Sequence, residues 1–316
     1  MSASLKIGTR GSPLALAQAH ETRDRLAAAF PELAADGAVE IITYKTTGDR
    51  ILDRTLAAAG GKGLFTKEIE EALAAGEVDL AVHSMKDVPT TLPDGLVIDC
   101  YLPREDPRDA FFSRSGADLD GLPAGSVVGT ASLRRQAQVL MRRPDLTVIP
   151  FRGNVQSRLR KLEAGEVDAT LLALAGLRRL GLTDRLTAVI ETDVMLPAVA
   201  QGAIGIESRA DDSRTNRYLA ALNCAETRTR VTAERGVLAA LDGSCRTPIA
   251  ALARFTGEGR LHMAALVIRN DGSEWFRDEG EFDAGDAETF GRALGERLKA
   301  RLPADFFGPP PGAFAI

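Results

Sequence analysis

Two α/β lobes facing each other across a basic cleft, followed by a small α+β domain, are the fold this sequence predicts. Three observations carry the prediction. Residues 5–220 alternate short β-branched strands with helical stretches, the pattern of an α/β unit with largely parallel sheets. Within that stretch Ala75-Gly76-Glu77-Val78-Asp79 recurs as Ala164-Gly165-Glu166-Val167-Asp168. Past about residue 222 the alternation gives way to a long helix, hairpin turns and a final helix.

The first lobe is expected over 1–102 and 200–220. Lys6-Ile7-Gly8 starts its first strand, and after Arg10 Ser12 is a fitting N-cap with Pro13 a fitting first helical residue. Each copy of the repeated pentapeptide follows an amphipathic helix and leads into a hydrophobic strand, Leu80-Ala81-Val82 or Ala169-Thr170-Leu171-Leu172. Each helix is preceded by a glycine-bearing basic loop, Gly60-Gly61-Lys62-Gly63 or Arg152-Gly153-Asn154. Five residues can match by chance in an Ala/Gly-rich chain, but the shared context argues for two lobes of similar design. Leu102-Pro103-Arg104-Glu105-Asp106-Pro107 breaks any helix or central strand and marks the crossing into a central lobe over 105–196. There Thr130-Ala131-Ser132 opens a helix with Arg134 and Arg135 in its first turn. Gly153-Asn154 opens another, with Arg158 about a turn in. Leu196-Pro197 followed by Gln201-Gly202 returns the chain to the first lobe. The third domain, 222–316, has a helix near Ala225–Leu241 ended by Gly243, turns at 256–259 and 270–272, and a last helix near 284–301.

Composition narrows the function. A length of 316 residues with 45% hydrophobic and 26% charged content fits a soluble globular protein of two or three units. The first residues lack the apolar run of a signal peptide, and no stretch approaches ~20 apolar residues, so a cytoplasmic protein without a membrane span is expected. Three cysteines (100, 224 and 245) are too few for a disulfide framework. Three histidines (20, 83 and 262) are scattered, and no metal site is expected. Net charge is −5, yet seven arginines stand against one acid, Asp145, between Val127 and Arg160. Such local concentration is what an anion-binding cleft needs.

Cations at helix N-termini oppose the macrodipole, and a bound anion reverses the sign of that cost. Arg10, Arg134, Arg135, Arg152 and Arg158 are therefore read as ligand contacts, and Arg142, Arg143 and Arg160 as solvated. Asp87 ends a strand before Val88-Pro89, where α/β folds display functional side chains, and Lys86 beside it would keep it ionised. A lone Asp there is more often a turn-former, so alone it says little. Cys245 has two readings, a small buried hydrophobe or an accessible thiolate in a Gly243-Ser244-Cys245-Arg246 loop just after a helix. Cys100 and Cys224 have no such setting.

Seven motifs, in order along nearly the whole chain, resemble the hydroxymethylbilane synthase (porphobilinogen deaminase) family. They are Arg10-Gly11-Ser12-Pro13-Leu14-Ala15, Gly60-Gly61-Lys62-Gly63-Leu64-Phe65, the 81–89 segment through His83-Ser84-Met85-Lys86-Asp87, Gly129-Thr130-Ala131-Ser132-Leu133-Arg134-Arg135, Arg152-Gly153-Asn154-Val155, the 196–202 segment and the Cys245 loop. The resemblance implies two lobes like those of periplasmic binding proteins plus the C-terminal domain. It implies an enzyme joining four porphobilinogen molecules head to tail into hydroxymethylbilane, with release of ammonia. It implies a dipyrromethane cofactor held as a thioether on Cys245, with Asp87 as the catalytic carboxylate. Cofactor contacts are implied at Asp49, Ser84, Lys86, Thr130, Ser132, Arg134, Arg135 and Arg158. Substrate contacts are implied at Arg10, Ser12, Lys62, Arg152, Gly153, Asn154 and Gln201. The carboxylates on every pyrrole explain the arginine count. Two departures stand out: Ala58, where some relatives have lysine, and Ser244, where glycine is usual before the anchoring cysteine.

Two other classes compete. A binding protein would also use two lobes and a basic cleft, but it has no need of the Cys245 loop. A nucleic-acid binder could use the arginines, yet pI ≈ 5.5 and 5% aromatics argue against a stacking or phosphate-tracking surface. A monomer acting on porphobilinogen, with neither nucleic acid nor membrane as partner, is expected.

Overall fold

A computed structural model describes residues 4–50, 63–243 and 247–307, and gathers their strands into three sheets. The first lobe contains β1 (Leu5–Arg10), α1 (Pro13–Ala29), β2 (Val39–Tyr44), the single turn α2 (Thr47–Arg50), α3 (Lys67–Ala74), β3 (Leu80–Ser84) and β4 (Leu96–Tyr101). The second contains β5 (Asp109–Ser113), β6 (Val127–Gly129), α4 (Leu133–Arg142), β7 (Thr147–Ile149), α5 (Val155–Glu163), β8 (Ala169–Ala173), α6 (Leu174–Arg179) and β9 (Ala188–Ile190). Next, β10 (Ile204–Arg209) and α7 (Ser213–Leu222) rejoin the first lobe. The last unit is α8 (Ala225–Ala240), β11 (Ile249–Gly257), β12 (Arg260–Ile268), β13 (Trp275–Asp283) and α9 (Ala287–Lys299).

Strand order is β2-β1-β3-β10-β4 in the first sheet and β7-β6-β8-β5-β9 in the second. The two orders are the same plan. In each, the fourth position is filled by a strand that has just crossed from the other lobe, and it runs antiparallel to both neighbours. This corrects the expectation of largely parallel sheets. Both are mixed in their pairing, because each crossing delivers its strand from the opposite end.

The repeated pentapeptide sits at equivalent places. Ala75 and Ala164 cap α3 and α5, and Gly76 and Gly165 follow at φ +74° and +81°. Val78 and Val167 enter the two cores. Asp79 accepts a hydrogen bond from Lys6 N (2.7 Å) at the start of β1, and Asp168 accepts one from Val127 N (2.8 Å) at the start of β6. One pentapeptide therefore closes a helix, fills a core position and fixes the edge of the next strand in both lobes.

Alternation along β3 assigns the faces of the first sheet. Leu80 and Val82 pack with Ala19 and Leu26 of α1, whereas Ala81 packs with Ile69 and Leu73 of α3. The third sheet, β11-β12-β13, is antiparallel and is covered by α8 and α9. That same core takes in Met85, Val88 and Tyr101 of the first lobe, so the third domain is packed against the turn that follows β3.

The two crossings run side by side. Gly202, at φ +89°, lies where a Cβ would come 2.4 Å from Glu105 O, so a side chain there would push them apart. Arg104 of the first crossing forms a buried two-pronged pair with Glu234 of α8 (2.6 and 3.0 Å). Glu234 also accepts from Ala200 N (2.7 Å) and Ala253 N (2.9 Å), which ties both crossings to the third domain. Among the described residues, no helix is long and apolar enough to cross a membrane.

Candidate active site

A cleft of about 860 Å³ opens between the lobes, a size suited to a small organic ligand. Its described walls carry seven cations, Arg10, Lys45, Lys86, Arg134, Arg135, Arg152 and Arg158, against two carboxylates, Asp49 and Asp87. Ser12, Ser84, Ser132, Gly153, Asn154 and Gln201 line it too. Lys62 and Cys245, expected at the site, lie outside the described residues, as do Ala58 and Ser244. Thr247, Ile249 and Leu238, from the segments on either side of Cys245, form part of the wall.

Helix starts aim the first set of groups. Ser12 caps α1, its Oγ accepting from Ala15 N at 3.3 Å, which leaves Arg10 at the cleft rim. The Arg10 guanidinium forks onto Asp49 and lies 4.4 Å over the Phe65 ring. Burial works to raise the Asp49 carboxyl, but hydrogen bonds from Arg10 and Thr46 outweigh it and hold the group below its ordinary range. In the second lobe Asn154 caps α5 through Ser157 N (2.8 Å). Gly153 sits at φ +130°, where a Cβ would fall 2.1 Å from Ser157 Oγ, so only glycine fits this start. Arg158 Nε donates to Gly153 O (2.9 Å). Burial, with Arg135 and Arg152 adding repulsion, pulls the Arg158 guanidinium down to about 10, still charged at neutral pH.

Lys86 and Asp87 occupy a short 3₁₀ turn after β3. Met85 N holds the turn to Ala203 O (3.0 Å), and Arg235 of α8 donates to Val88 O (3.1 Å) and Pro89 O (2.6 Å) just beyond it. Ser84 is fixed by Gln18 of α1 at 2.8 Å. The backbone is therefore gripped on both sides, while among the described residues the Lys86 and Asp87 side chains make no hydrogen bond or ion pair. Burial pulls the Lys86 ammonium below its ordinary range, against the pull of Asp87.

The arginine pair on α4 is held by a residue that sequence reasoning missed. Asp109, fully buried on β5, accepts from Arg134 Nη2 (2.8 Å), Arg135 Nη2 (2.7 Å) and Gln201 Nε2 (2.9 Å). Arg134 also reaches Leu196 O (2.9 Å), and Arg135 reaches Leu171 O (3.0 Å). Arg134 Nε is buried with no partner among the described residues. Burial alone would raise the Asp109 carboxyl, but the two guanidiniums hold it far below the carboxylate range. Ser132 caps α4 on Arg135 N (3.4 Å).

Two expected contacts depart from their roles. Thr130 is buried off the cleft wall, its hydroxyl accepting from Ser132 N (3.2 Å). Gln201 lines the cleft, but its amide nitrogen is spent on Pro107 O (2.6 Å) and Asp109, while its Oε1 is buried with no partner among the described residues. Arg142, Arg143 and Arg160 are outside the wall. Arg142 pairs with Asp120 (2.5 Å), and Arg143 with Asp145 and three loop carbonyls.

Asp109 yields a stability prediction with a definite sign. Asp109→Asn leaves two buried guanidiniums uncompensated and should cost about 3–5 kcal/mol at pH 7. Because the folded carboxyl is depressed, its contribution is present above the unfolded value of about 3.9 and is lost as pH falls below it. Urea midpoints of both proteins from pH 7 downward should therefore converge in acid.

A dipyrrole with carboxylate arms fits this donor set. Among the described residues the Lys86 ammonium makes no hydrogen bond or ion pair, Arg134 Nε has no partner, and Arg158 donates only through Nε. Comparison with known proteins agrees. Residues 5–217 match the family model "Porphobilinogen deaminase, dipyromethane cofactor binding domain", and residues 228–300 match "Porphobilinogen deaminase, C-terminal domain". Porphobilinogen deaminase of Paracoccus denitrificans (strain Pd 1222) is 60% identical over 303 residues, covering 96% of each chain. The chloroplastic porphobilinogen deaminase of Oryza sativa subsp. japonica is 56% identical, covering 96% of this chain and 85% of the relative. Among solved structures, a TRAP periplasmic solute binding protein from Desulfovibrio salexigens aligns with TM-score 0.43 at 12% identity, over 71% of this chain and 73% of the other.

Proposed function

This chain belongs to the porphobilinogen deaminase family, and from that premise we propose how its cleft divides the work. The enzyme joins four porphobilinogen molecules head to tail into hydroxymethylbilane, releasing ammonia, in tetrapyrrole biosynthesis. The observation that carries the reading is the Lys86–Asp87 turn, gripped by its backbone and presenting to a cationic cleft a carboxylate that makes no hydrogen bond or ion pair among the described residues. Positive charge develops on a pyrrole ring as ammonia leaves. The Asp87 carboxylate stabilises that charge and accepts a proton from the reacting ring.

The dipyrromethane cofactor supplies a tethered pyrrole end onto which substrate is added. Cys245 anchors it, with Lys86, Ser84, Ser132, Arg134, Arg135 and Arg158 as the residues that would hold its carboxylates. Arg10, Ser12, Arg152, Gly153 and Asn154 face incoming substrate from the rims of both lobes. Asp49 holds Arg10 in place until a carboxylate competes for it. Both lobes of the cleft come from one chain, which supports a monomer as the working unit. An acidic chain with its cations drawn inward supports a cytoplasmic small-molecule enzyme with neither nucleic acid nor membrane as partner.

Incubation of the purified protein with porphobilinogen tests this reading, the expected result being one ammonia per porphobilinogen consumed. Stoichiometric binding without ammonia would instead favour a capture protein. Charge alone is not enough at Arg134 and Arg135, whose forks are each divided between Asp109 and a carbonyl. Lysine cannot reproduce that division, so Arg135→Lys should reduce kcat/KM about ten- to a hundredfold, at roughly 1.5–3 kcal/mol per charge-assisted bond. Arg142→Ala, on the exposed pair with Asp120, should stay within about twofold. Equal damage in both variants would redraw the cleft boundary.

A further inference from the structure

The α3 side of the first sheet holds three ionisable groups to which the reading above gives no task. His83 on β3, Glu207 on β10 and Glu70 on α3 gather there, just before the turn that carries Lys86 and Asp87. His83 Nε2 lies 2.9 Å from Glu207 Oε2. Glu207 is 0% exposed and Glu70 8%. Glu207 Oε1 and Glu70 Oε1 are both buried with no hydrogen-bond partner among the described residues. His83 also lines the cleft, so the cluster runs from the cleft floor to α3.

Neighbouring elements add little countercharge. Across from His83, β10 presents Gly205, and across from Glu207, β4 presents Ile98. From α3 comes a further acid, Glu71. Arg10, at the end of the adjacent strand β1, is held by Asp49. Beyond His83, Lys86 and Asp87 offset each other. Burial pushes the Glu70 carboxyl above its ordinary range, against the Thr66 hydroxyl and His83, which pull it down, and with the Glu207 and Glu71 carboxylates adding to the rise. Two carboxylate oxygens that no described group satisfies therefore lie buried beside the His83 ring, leaving places where a proton can be held.

We propose that His83, Glu207 and Glu70 form a proton store in the cleft floor that takes up the proton set free in each condensation. The proposal rests on the reaction assigned above. In that reaction a C–C bond forms at the free pyrrole carbon, and the C–N bond of the aminomethyl group breaks. The aminomethyl group enters as its ammonium form, so nitrogen leaves as neutral ammonia with the electron pair of the C–N bond. The C–H bond at the attacked carbon then breaks, and its electrons return to the ring. The proton passes by way of Asp87 to the cleft-facing His83 ring, and from the store to the departing ammonia, which leaves as ammonium.

The test uses the cofactor-loaded enzyme. His83→Gln should lower kcat about tenfold or more with KM within about twofold, and should abolish the acid limb of the pH–kcat profile, where a filled store blocks turnover. Infrared difference spectra should show a protonated carboxyl in the wild type at pH 7 that Glu70→Gln removes. Wild-type kcat and an unchanged pH profile in His83→Gln, or no protonated carboxyl in the wild type, would overturn the store. Should His83→Gln fail to fold, Glu70→Gln decides, since glutamine mimics the protonated acid: an unshifted pH profile there overturns the proposal. If the wild type releases no ammonia the assigned reaction fails, and the infrared band still reports on the cluster.

Discussion

Cys245→Ala enzyme should have the mass of its sequence alone, whereas the wild type, purified from cells able to make the pyrrole, should be heavier by one dipyrrole. Cys100→Ala and Cys224→Ala should keep the increment. The other two thiols are placed where they cannot serve. Cys100 is buried on β4, and burial pushes its thiol up to about 12, so essentially no thiolate exists at neutral pH. Cys224 stands at the N-cap of α8 with its N–H on Tyr101 O, and neither residue lines the cleft. By contrast, Leu238 of α8, which precedes Cys245 in the chain, and Thr247 and Ile249, which follow it, are in the cleft wall. Without the anchored acceptor the Cys245→Ala protein should release no ammonia from porphobilinogen, a loss of activity to background. An unmodified wild-type mass would sink the cofactor assignment.

What the sequence discloses is local chemistry, and what it hides is produced by strand insertion. Ser12, Ser132 and Asn154 are legible as caps because an N-cap acts on backbone groups two or three residues away. The repeated pentapeptide is legible because its three tasks all lie within one helix–strand junction. Asp109 is not. It precedes Arg134 and Arg135 by 25 and 26 residues, and it meets them only because β5 is threaded between β8 and β9 after the first crossing. An acid opening the apolar run Asp109-Ala110-Phe111-Phe112 is the sole trace, and it reads equally well as a turn residue. Arg235 is hidden more deeply, lying 147 residues from the carbonyl it clamps. The same insertions turn the sheets mixed. Local alternation reports that strands and helices alternate, but not which strand a crossing places between which neighbours.

Gln201 shows how a residue in a recognised motif can hold the scaffold while lining the site. Its amide nitrogen ties the second crossing to Pro107 O and Asp109, so the arginine pair, both crossings and the start of β5 share one buried junction. Ligand carboxylates that engage Arg134 or Arg135 therefore act on the segment that joins the lobes. The Arg104–Glu234 pair ties that same segment to α8, the helix that leads to Cys245.

Asp87→Asn should separate chemistry from binding. Asparagine keeps the shape and can still contact a pyrrole N–H, but it loses the negative charge and the proton-accepting oxygen pair. Nothing in the described structure leans on this side chain: the turn is held by Met85 N on one side and by Arg235 on the other. The variant should therefore unfold at a urea midpoint close to that of the wild type. Charge at this position stabilises cations that exist only along the reaction path, so its loss should fall on kcat far more than on KM. Removing one preorganised electrostatic contact typically slows an enzyme by roughly 10²–10³, and losing the proton acceptor adds to that. Lys86 would lose the larger of the two carboxylate charges, Asp87 and Asp109, that support its ammonium, which should fall further below its ordinary range. Cofactor assembly draws on the same chemistry, so intact mass is measured in the samples used for kinetics. A folded, cofactor-loaded Asp87→Asn enzyme turning over at near wild-type rate would remove this carboxylate from the mechanism, and with it the route by which a proton reaches His83.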